Sequence, residues 1–195
     1  MTSKINIVLL CAGKSSRLKF NLPKVILPIN GKTLLQRSLH SLGKLSPSKT
    51  IIVAGFKKEL VINLSKTLNY KNLNFVVQKE QLGTGDAVKK AASSLDNKSI
   101  ALIMNGDTPF VDEGTINQAL SQYRKTKSVF TIATTKPSSP FGYGRILRDN
   151  DGQILDIVEE KDCDDKQKLI KEVNAGLYLI ATDYLKKFVK KIKKN

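Results

Sequence analysis

Three cationic side chains, Lys14, Arg17 and Lys24, lie in or just after the small-residue stretch Leu10-Cys11-Ala12-Gly13, which follows the apolar run Ile5 to Leu10. Small residues at a strand end let backbone N–H groups approach a ligand, and ammonium and guanidinium groups neutralise anionic charge. The combination suits a polyphosphate. The plainer alternative is a strand-to-helix turn with exposed cations. Gly13-Lys14-Ser15 matches the tail of a Walker A loop, but that motif needs an earlier glycine where the chain has Val8, which argues against a P-loop NTPase.

Two further residues carry candidate chemistry. Asp107 follows Gly106 after the apolar run Ser99 to Met104. It could cap a helix or close an Asx turn ahead of Pro109, or it could bind Mg2+ beside phosphates, since such sites take one or two carboxylates plus phosphate oxygens. Gln78 closes another apolar run, and its carboxamide offers a donor and an acceptor that match a pyrimidine's N3–H and carbonyl. The alternative is an ordinary polar residue at a strand end. Neither a nucleophile elbow nor a metal-hydrolase motif is present, and His40, the one histidine, sits in a predicted helix as a surface residue.

These residues need a scaffold that brings strand ends together. The pattern predicts strands over Ile5–Leu10, Thr50–Ala54, Asn74–Gln78 and Ser99–Met104. Between them lie helices. Thr33 starts the first with a capping-box spacing to Gln36, Leu35, Leu39 and Leu42 form its apolar face, and Gly43 ends it. Leu60, Leu64 and Leu68 form the expected buried stripe of the second, and Ala87, Val88, Ala91 and Ala92 that of the third, which opens at Gln81-Leu82-Gly83-Thr84-Gly85. Ile116, Leu120 and Tyr123 mark the fourth.

Such alternation predicts a doubly wound, mostly parallel, Rossmann-like α/β sheet, with the loops after Leu10, Gln78 and Met104 lining one cleft. The later chain differs: a strand over Val129–Thr135, a Pro/Ser/Gly loop, a hairpin of Arg145–Arg148 and Gln153–Glu159 around Asn150-Asp151-Gly152, a strand over Glu172–Ile180 and a final helix from Thr182. The hairpin suggests an appended lobe where a second substrate would sit.

The 195 residues suffice for one domain, and 41% hydrophobic with 26% charged content is ordinary for a globular chain. No apolar run reaches membrane-spanning length. Ile5–Leu10 before Cys11 superficially matches a lipoprotein signal, but the run is too short and Leu10 too large for a cleavage site. Cys11 and Cys163 lack metal-ligand spacing, which points to free thiols in a cytoplasmic protein. The net charge of +16 invites a nucleic-acid reading, yet the excess is almost all lysine and is spread along the chain. The densest cluster, Lys186 to Lys194, interleaves with Leu185, Phe188, Val189 and Ile192 as the solvated face of an amphipathic helix. A nucleic-acid partner is therefore disfavoured, while small anions should be attracted.

Taken together, the stretches Leu10-Cys11-Ala12-Gly13-Lys14-x-x-Arg17, Leu22-Pro23-Lys24-Val25, Gln78-x-x-Gln81-Leu82-Gly83-Thr84-Gly85, Gly106-Asp107-x-Pro109, Gly142-Tyr143-Gly144-Arg145-Ile146, Ile157-Val158-Glu159-Glu160-Lys161-Asp162 and Glu172-Val173-Asn174-x-Gly176 resemble the nucleotidyltransferase superfamily of sugar-1-phosphate enzymes. Within it they resemble the uridyltransferase domain of the bacterial bifunctional enzymes that make UDP-N-acetylglucosamine. They stand in the family's order and span nearly the whole chain.

The resemblance implies that Leu10, Cys11, Ala12 and Gly13 hold the nucleotide by backbone contacts, and that Arg17 and Lys24 are catalytic groups stabilising its phosphates. It further implies that Gln78, Gly83 and Thr84 recognise uracil and ribose, that Asp107 binds Mg2+, and that Asn105, Gly144, Glu159 and Asn174 serve the amino-sugar phosphate. The implied substrates are UTP and a sugar-1-phosphate. The sequence departs from the family at Cys11 (usually alanine), Asp86 (usually histidine), Asn105 (commonly tyrosine) and Ala175 in Asn174-Ala175-Gly176.

The organisation expected is one nucleotidyltransferase domain over residues 1–195 that lacks its C-terminal end. By the resemblance, that end holds a further helix and a strand with an asparagine as second Mg2+ ligand. The β-helix acetyltransferase domain of the bifunctional enzymes is absent from the sequence. Alternatives are another base or sugar specificity and a truncated, non-catalytic nucleotide-binding protein. The oligomeric state is open.

Overall fold

The computed structural model describes residues 4–14 and 21–192. The chain clusters into two compact units, one running to Thr131 and resuming at Tyr178, the other Ile132–Leu177.

In the first unit, β1 (Ile5–Cys11) leads past the two-residue strands β2 (Pro28–Ile29) and β3 (Lys32–Thr33) into α1 (Leu34–Gly43). Then follow β4 (Lys49–Ala54), α2 (Lys58–Thr67), β5 (Leu73–Val77), α3 (Thr84–Ala92), β6 (Ile100–Asn105) and α4 (Glu113–Thr126). The sheet order is β5-β4-β1-β6, and every pairing in it is parallel. The chain moves outward from β1 through β4 to β5, then returns to place β6 on the other side of β1. That reversal puts a crevice at the carboxyl ends of β1 and β6, the usual ligand position in open parallel sheets.

Strands covered by helices on both faces are mostly apolar, and the buried polar exceptions here are hydrogen-bonded: Asn6 Nδ2 donates to Ser99 Oγ at 2.7 Å and Thr50 Oγ1 pairs with the Tyr70 hydroxyl at 3.3 Å. Ile7, Val8 and Leu9 of β1, Ile51, Ile52 and Val53 of β4, and Ala101, Leu102 and Met104 of β6 are all fully buried. On one face Val8, Ile51, Val53, Ala101 and Ile103 pack with Ala87, Val88, Ala91 and Ala92, the apolar side expected for α3. The capping box of α1 is present too: Gln36 N donates to Thr33 Oγ1 at 3.2 Å, and Thr33 N donates to Gln36 Oε1 at 2.7 Å. His40 is exposed, as expected.

Two helix faces differ from the sequence expectation. In α2 the buried residues are Val61 and Ser65, Leu64 and Leu68 are half-buried, and Leu60 is exposed. At 100° per residue Val61, Ser65 and Leu68 share one stripe while Leu60 lies a quarter-turn outside it. The Ser65 hydroxyl is satisfied there by donating to Val61 O at 2.6 Å. At the C-terminal side, α6 (Thr182–Phe188) stops early and tightens into a 3-10 turn over Val189–Lys191. Leu185 and Val189 are buried and Phe188 is exposed, while Ile192 Cδ1 lies 3.4 Å from where a Gly85 Cβ would stand.

The second unit holds most of β7 (Phe130–Thr135), β8 (Arg145–Arg148), β9 (Ile154–Val158), the short helix α5 (Asp165–Lys168) and the first part of β10 (Val173–Ala181). β8 pairs antiparallel with β9, from Arg145 opposite Val158 to Arg148 opposite Ile154, and antiparallel with β10 at Val173. The expected hairpin turn forms at Asn150-Asp151-Gly152: Asp149 Oδ1 accepts from Asp151 N and Gln153 N, and Gly152 takes a φ of +78°. Arg148 closes the lobe with a two-pronged pair to Glu172, Nη2 to Oε1 at 2.6 Å and Nε to Oε2 at 2.9 Å.

These hydrogen bonds lower the Glu172 carboxyl from its ordinary 4.5 to about 2, against the opposing effect of burial. A carboxylate lowered in the folded state contributes stability that is fully present above its ordinary value and lost as pH falls through the folded one. Glu172→Gln should destabilise the protein by about 1–3 kcal/mol at neutral pH. In urea unfolding across a pH series, the gap from wild type should shrink as pH falls from 4.5 towards 2.

Candidate functional site

The turn after β1 is wedged between two glycines, one at the end of each neighbouring strand. A Cβ on Gly55, just past β4, would lie 2.7 Å from Ala12 Cβ. A Cβ on Gly106, just past β6, would overlap the Cys11 sulfur and lie 3.2 Å from Leu10 O. Gly106 N donates to Leu10 O at 2.9 Å and Phe56 N donates to Ala12 O at 3.1 Å, so the flanking strands continue to grip the chain past their formal ends. The backbone of Leu10, Cys11, Ala12 and Gly13 is held rigidly at the crevice because nothing larger than hydrogen stands at those two positions.

Around this turn lies a cavity of about 300 Å³. Leu10, Cys11, Ala12 and Gly13 form one side. Lys24, Gln78, Gly83, Thr84, Asn105 and Asp107 complete the sequence-assigned part of the lining, which Val25, Gln81 and Ala87 extend. The three loops expected to meet in one cleft therefore do meet. Arg17 lies outside the described residues. Lys24 Nζ contacts Asp107 Oδ2 at 2.9 Å, so a cation sits directly on the carboxylate assigned to the metal. Gln78 is 3% exposed, and its Nε2 donates to Gly83 O and to Asp86 Oδ2. Gly83, at a φ of +88°, turns the chain into α3 at Thr84.

Burial, reinforced by the Asp107 carboxylate, pushes the Cys11 thiol well up from its ordinary value. The thiol is a neutral packing group rather than a nucleophile. No cluster of three or more His, Cys, Asp or Glu suited to hold a metal occurs among the described residues. Asp107 is the acidic member of the cavity lining.

In the second unit, Gly144, Glu159 and Asn174 come together. Asn174 N donates to Gly144 O at 2.9 Å, and Glu159 Oε1 lies 3.5 Å from where a Gly144 Cβ would stand. Asn105, assigned with them by the resemblance, lines the first unit's cavity. The sequence reading missed the pair that braces this lobe. Arg145, 2% exposed, binds Glu160 at 2.7 Å and also donates to Tyr143 O, while Glu160 Oε2 accepts from Gly142 N at 2.9 Å. The Gly142 N–H and then the Arg145 guanidinium hold the Glu160 carboxyl below its ordinary value. The available signal was an arginine at the start of an apolar strand, which must be paired if buried.

Residues 7–168 match the MobA-like NTP transferase domain. The chain belongs to that family. It is thus a nucleotidyltransferase, of a family that generally works with a divalent metal. It is 39% identical, across 100% of its length and 77% of the relative's, to a mimivirus protein named "Probable UDP-N-acetylglucosamine pyrophosphorylase". It is 39% identical to the bifunctional protein GlmU of Streptococcus mutans, over 96% of this chain and 40% of that protein. The chain spans 40% of the length of the GlmU proteins of Streptococcus mutans, Dechloromonas aromatica and Streptococcus uberis, and 55% of that of Desulfotalea psychrophila. Among solved structures, HddC of Yersinia pseudotuberculosis superposes over 93% of this chain and 79% of its own, with a TM-score of 0.74 at 24% identity, which establishes a shared fold. No helix among the described residues is long and apolar enough to cross a membrane.

The glycine wedge yields a test. Gly106→Ala should destabilise the protein by about 1–3 kcal/mol through overpacking. Cys11→Ala should restore part of that loss, because it removes the sulfur that the new methyl meets. In urea unfolding, the double variant should lose at least about 0.5 kcal/mol less than the sum of the single losses.

Proposed function

We infer that this chain transfers the uridylyl group of UTP to N-acetylglucosamine-1-phosphate, giving UDP-N-acetylglucosamine and pyrophosphate. The observation that carries the reading is the convergence of the loops after β1, β5 and β6, with Lys24, Gln78 and Asp107, on one cavity at the point where strand order reverses. The name of the mimivirus relative supports the choice of base and sugar. The two units together form one nucleotidyltransferase domain in this reading, and the free, buried thiols Cys11 and Cys163 support a cytoplasmic location.

The chemistry asks little of the side chains. A sugar-1-phosphate is already a nucleophile near neutral pH, because its second pKa is roughly 6. Its oxygen attacks the α-phosphorus in line and expels pyrophosphate without a general base, so catalysis is positioning and charge neutralisation. The backbone from Leu10 to Gly13 seats the triphosphate, Lys24 and Arg17 offset the charge that builds on it, and Gln78, Gly83 and Thr84 hold uracil and ribose. Asn105, Gly144, Glu159 and Asn174 serve the sugar phosphate.

The donor set fits Mg2+. Asp107 offers a carboxylate that already faces a positive group, and Mg2+ sites commonly combine one or two protein carboxylates with phosphate oxygens and water. When bound, the ion polarises phosphoryl oxygens and draws off negative charge.

The test is pyrophosphate release with Mg2+, pairing UTP, CTP, dTTP and ATP in turn with N-acetylglucosamine-1-phosphate and glucose-1-phosphate. Release should be fastest for UTP with N-acetylglucosamine-1-phosphate. Lys24→Ala should slow it roughly 10²–10³-fold, the scale of losing one charge-stabilising group. Faster release from another pair would overturn the specificity, and UTP binding without release from any pair would overturn the activity.

A further inference from the structure

Gln78 stands just past β5 and lines the cavity, and its amide nitrogen is fully committed inside the protein. Nε2 donates to Gly83 O at 3.1 Å and to Asp86 Oδ2 at 2.9 Å, which accounts for both of its hydrogens. The carboxamide therefore has no choice of orientation. Turning it over would bring Oε1 against a carbonyl and a carboxylate, neither of which can donate. Among the described residues no hydrogen bond engages Oε1. The group that looked from the sequence like a donor and an acceptor together is thus reduced to an acceptor.

Asp86 sits in the first turn of α3, where the helix dipole favours an acidic side chain, and Gly83 caps the same helix. The start of α3 and the end of β5 are locked to each other through this amide.

We propose that Asp86 is a specificity-determining positioning residue: by holding Gln78 Nε2 it presents Oε1 alone to the cavity, which then takes a pyrimidine with an N–H at ring position 3 and rejects one with a bare nitrogen there. This rests on reading the cavity as the nucleotide site. Uracil meets the requirement through its N3–H, whereas cytosine in the same seat sets its N3 lone pair against Oε1 and can offer its 4-amino group only by moving out of that seat. A site built to receive a hydrogen bond discriminates strongly against an analogue that cannot give one. Thymine shares the N3–H and is not separated by this device.

The test is nucleotide binding by isothermal titration calorimetry on the whole chain, without sugar phosphate, so that its outcome stands apart from turnover. Absence of pyrophosphate release would overturn the proposed activity and leave this comparison intact. Wild type should bind UTP at least tenfold more tightly than CTP, and N3-methyl-UTP, which has lost the N–H, should bind as weakly as CTP. Asp86→Ala, which leaves Gly83 O as the one acceptor on Nε2, should lower the UTP-to-CTP preference at least threefold, whereas Asp86→Asn, whose Oδ1 still accepts from Nε2, should keep it within threefold of wild type, both with a thermal midpoint close to that of wild type. A folded Asp86→Ala protein whose preference stays within threefold of wild type would overturn the proposal. So would a wild type that binds CTP or N3-methyl-UTP as tightly as UTP, and this second arm decides the matter if the variant does not fold.

Discussion

β1 is gripped in parallel by β4 on one side and β6 on the other, and this double pairing governs where everything else can go. A strand so placed has no free edge, its side chains are mostly buried and apolar apart from the hydrogen-bonded Asn6, and it emerges between two other strand ends. The chain after it therefore turns in a narrow slot. Gly55 and Gly106 make that slot wide enough, and the bonds from Gly106 N and Phe56 N keep the turn from relaxing out of it. The fixed course of the turn after β1 is a by-product of burying β1.

From that fixed turn the remaining groups are positioned by short links. Asp107 follows Gly106 by one residue, Lys24 reaches it from the 3-10 turn over Lys24–Ile26, and Gln78 is tied to α3 through Asp86. The second unit uses a different device: Arg145 with Glu160, and Arg148 with Glu172, brace its loops and strands. In the first unit burial of apolar strands does the positioning, and in the second charge-assisted hydrogen bonds do. The smaller unit has little apolar area to bury, so polar pairs with good geometry carry more of its order.

Much of the fold was legible because its signals are local. The apolar runs gave the parallel strands, the Thr33 to Gln36 spacing gave a capping box, and Asn150-Asp151-Gly152 gave the hairpin turn. The misplaced stripe of α2 shows the limit: three leucines at every fourth position look like a face, but tertiary packing chose the stripe through Val61 and Ser65. The meeting of three loops at one cavity was legible, and its wiring was not. Nothing local says that Gln78 spends its amide nitrogen on Asp86, or that Glu160 rather than Glu159 pairs with Arg145, because both depend on how separate segments meet. Cys11 was noted as a departure in a backbone-contacting turn, while its packing against Gly106 is visible only in three dimensions.

The two cysteines have a consequence of their own. Cys11 lies in the first unit and Cys163 in the second, both free and both buried, at 2% and 7% exposed. Each compact unit thus carries one native thiol that a labelling reagent reaches only when that unit opens. Alkylation of the unmodified chain, followed site by site by mass spectrometry, would clock the opening of the parallel-sheet unit and of the hairpin lobe separately. The chain carries, without engineering, its own pair of local unfolding reporters.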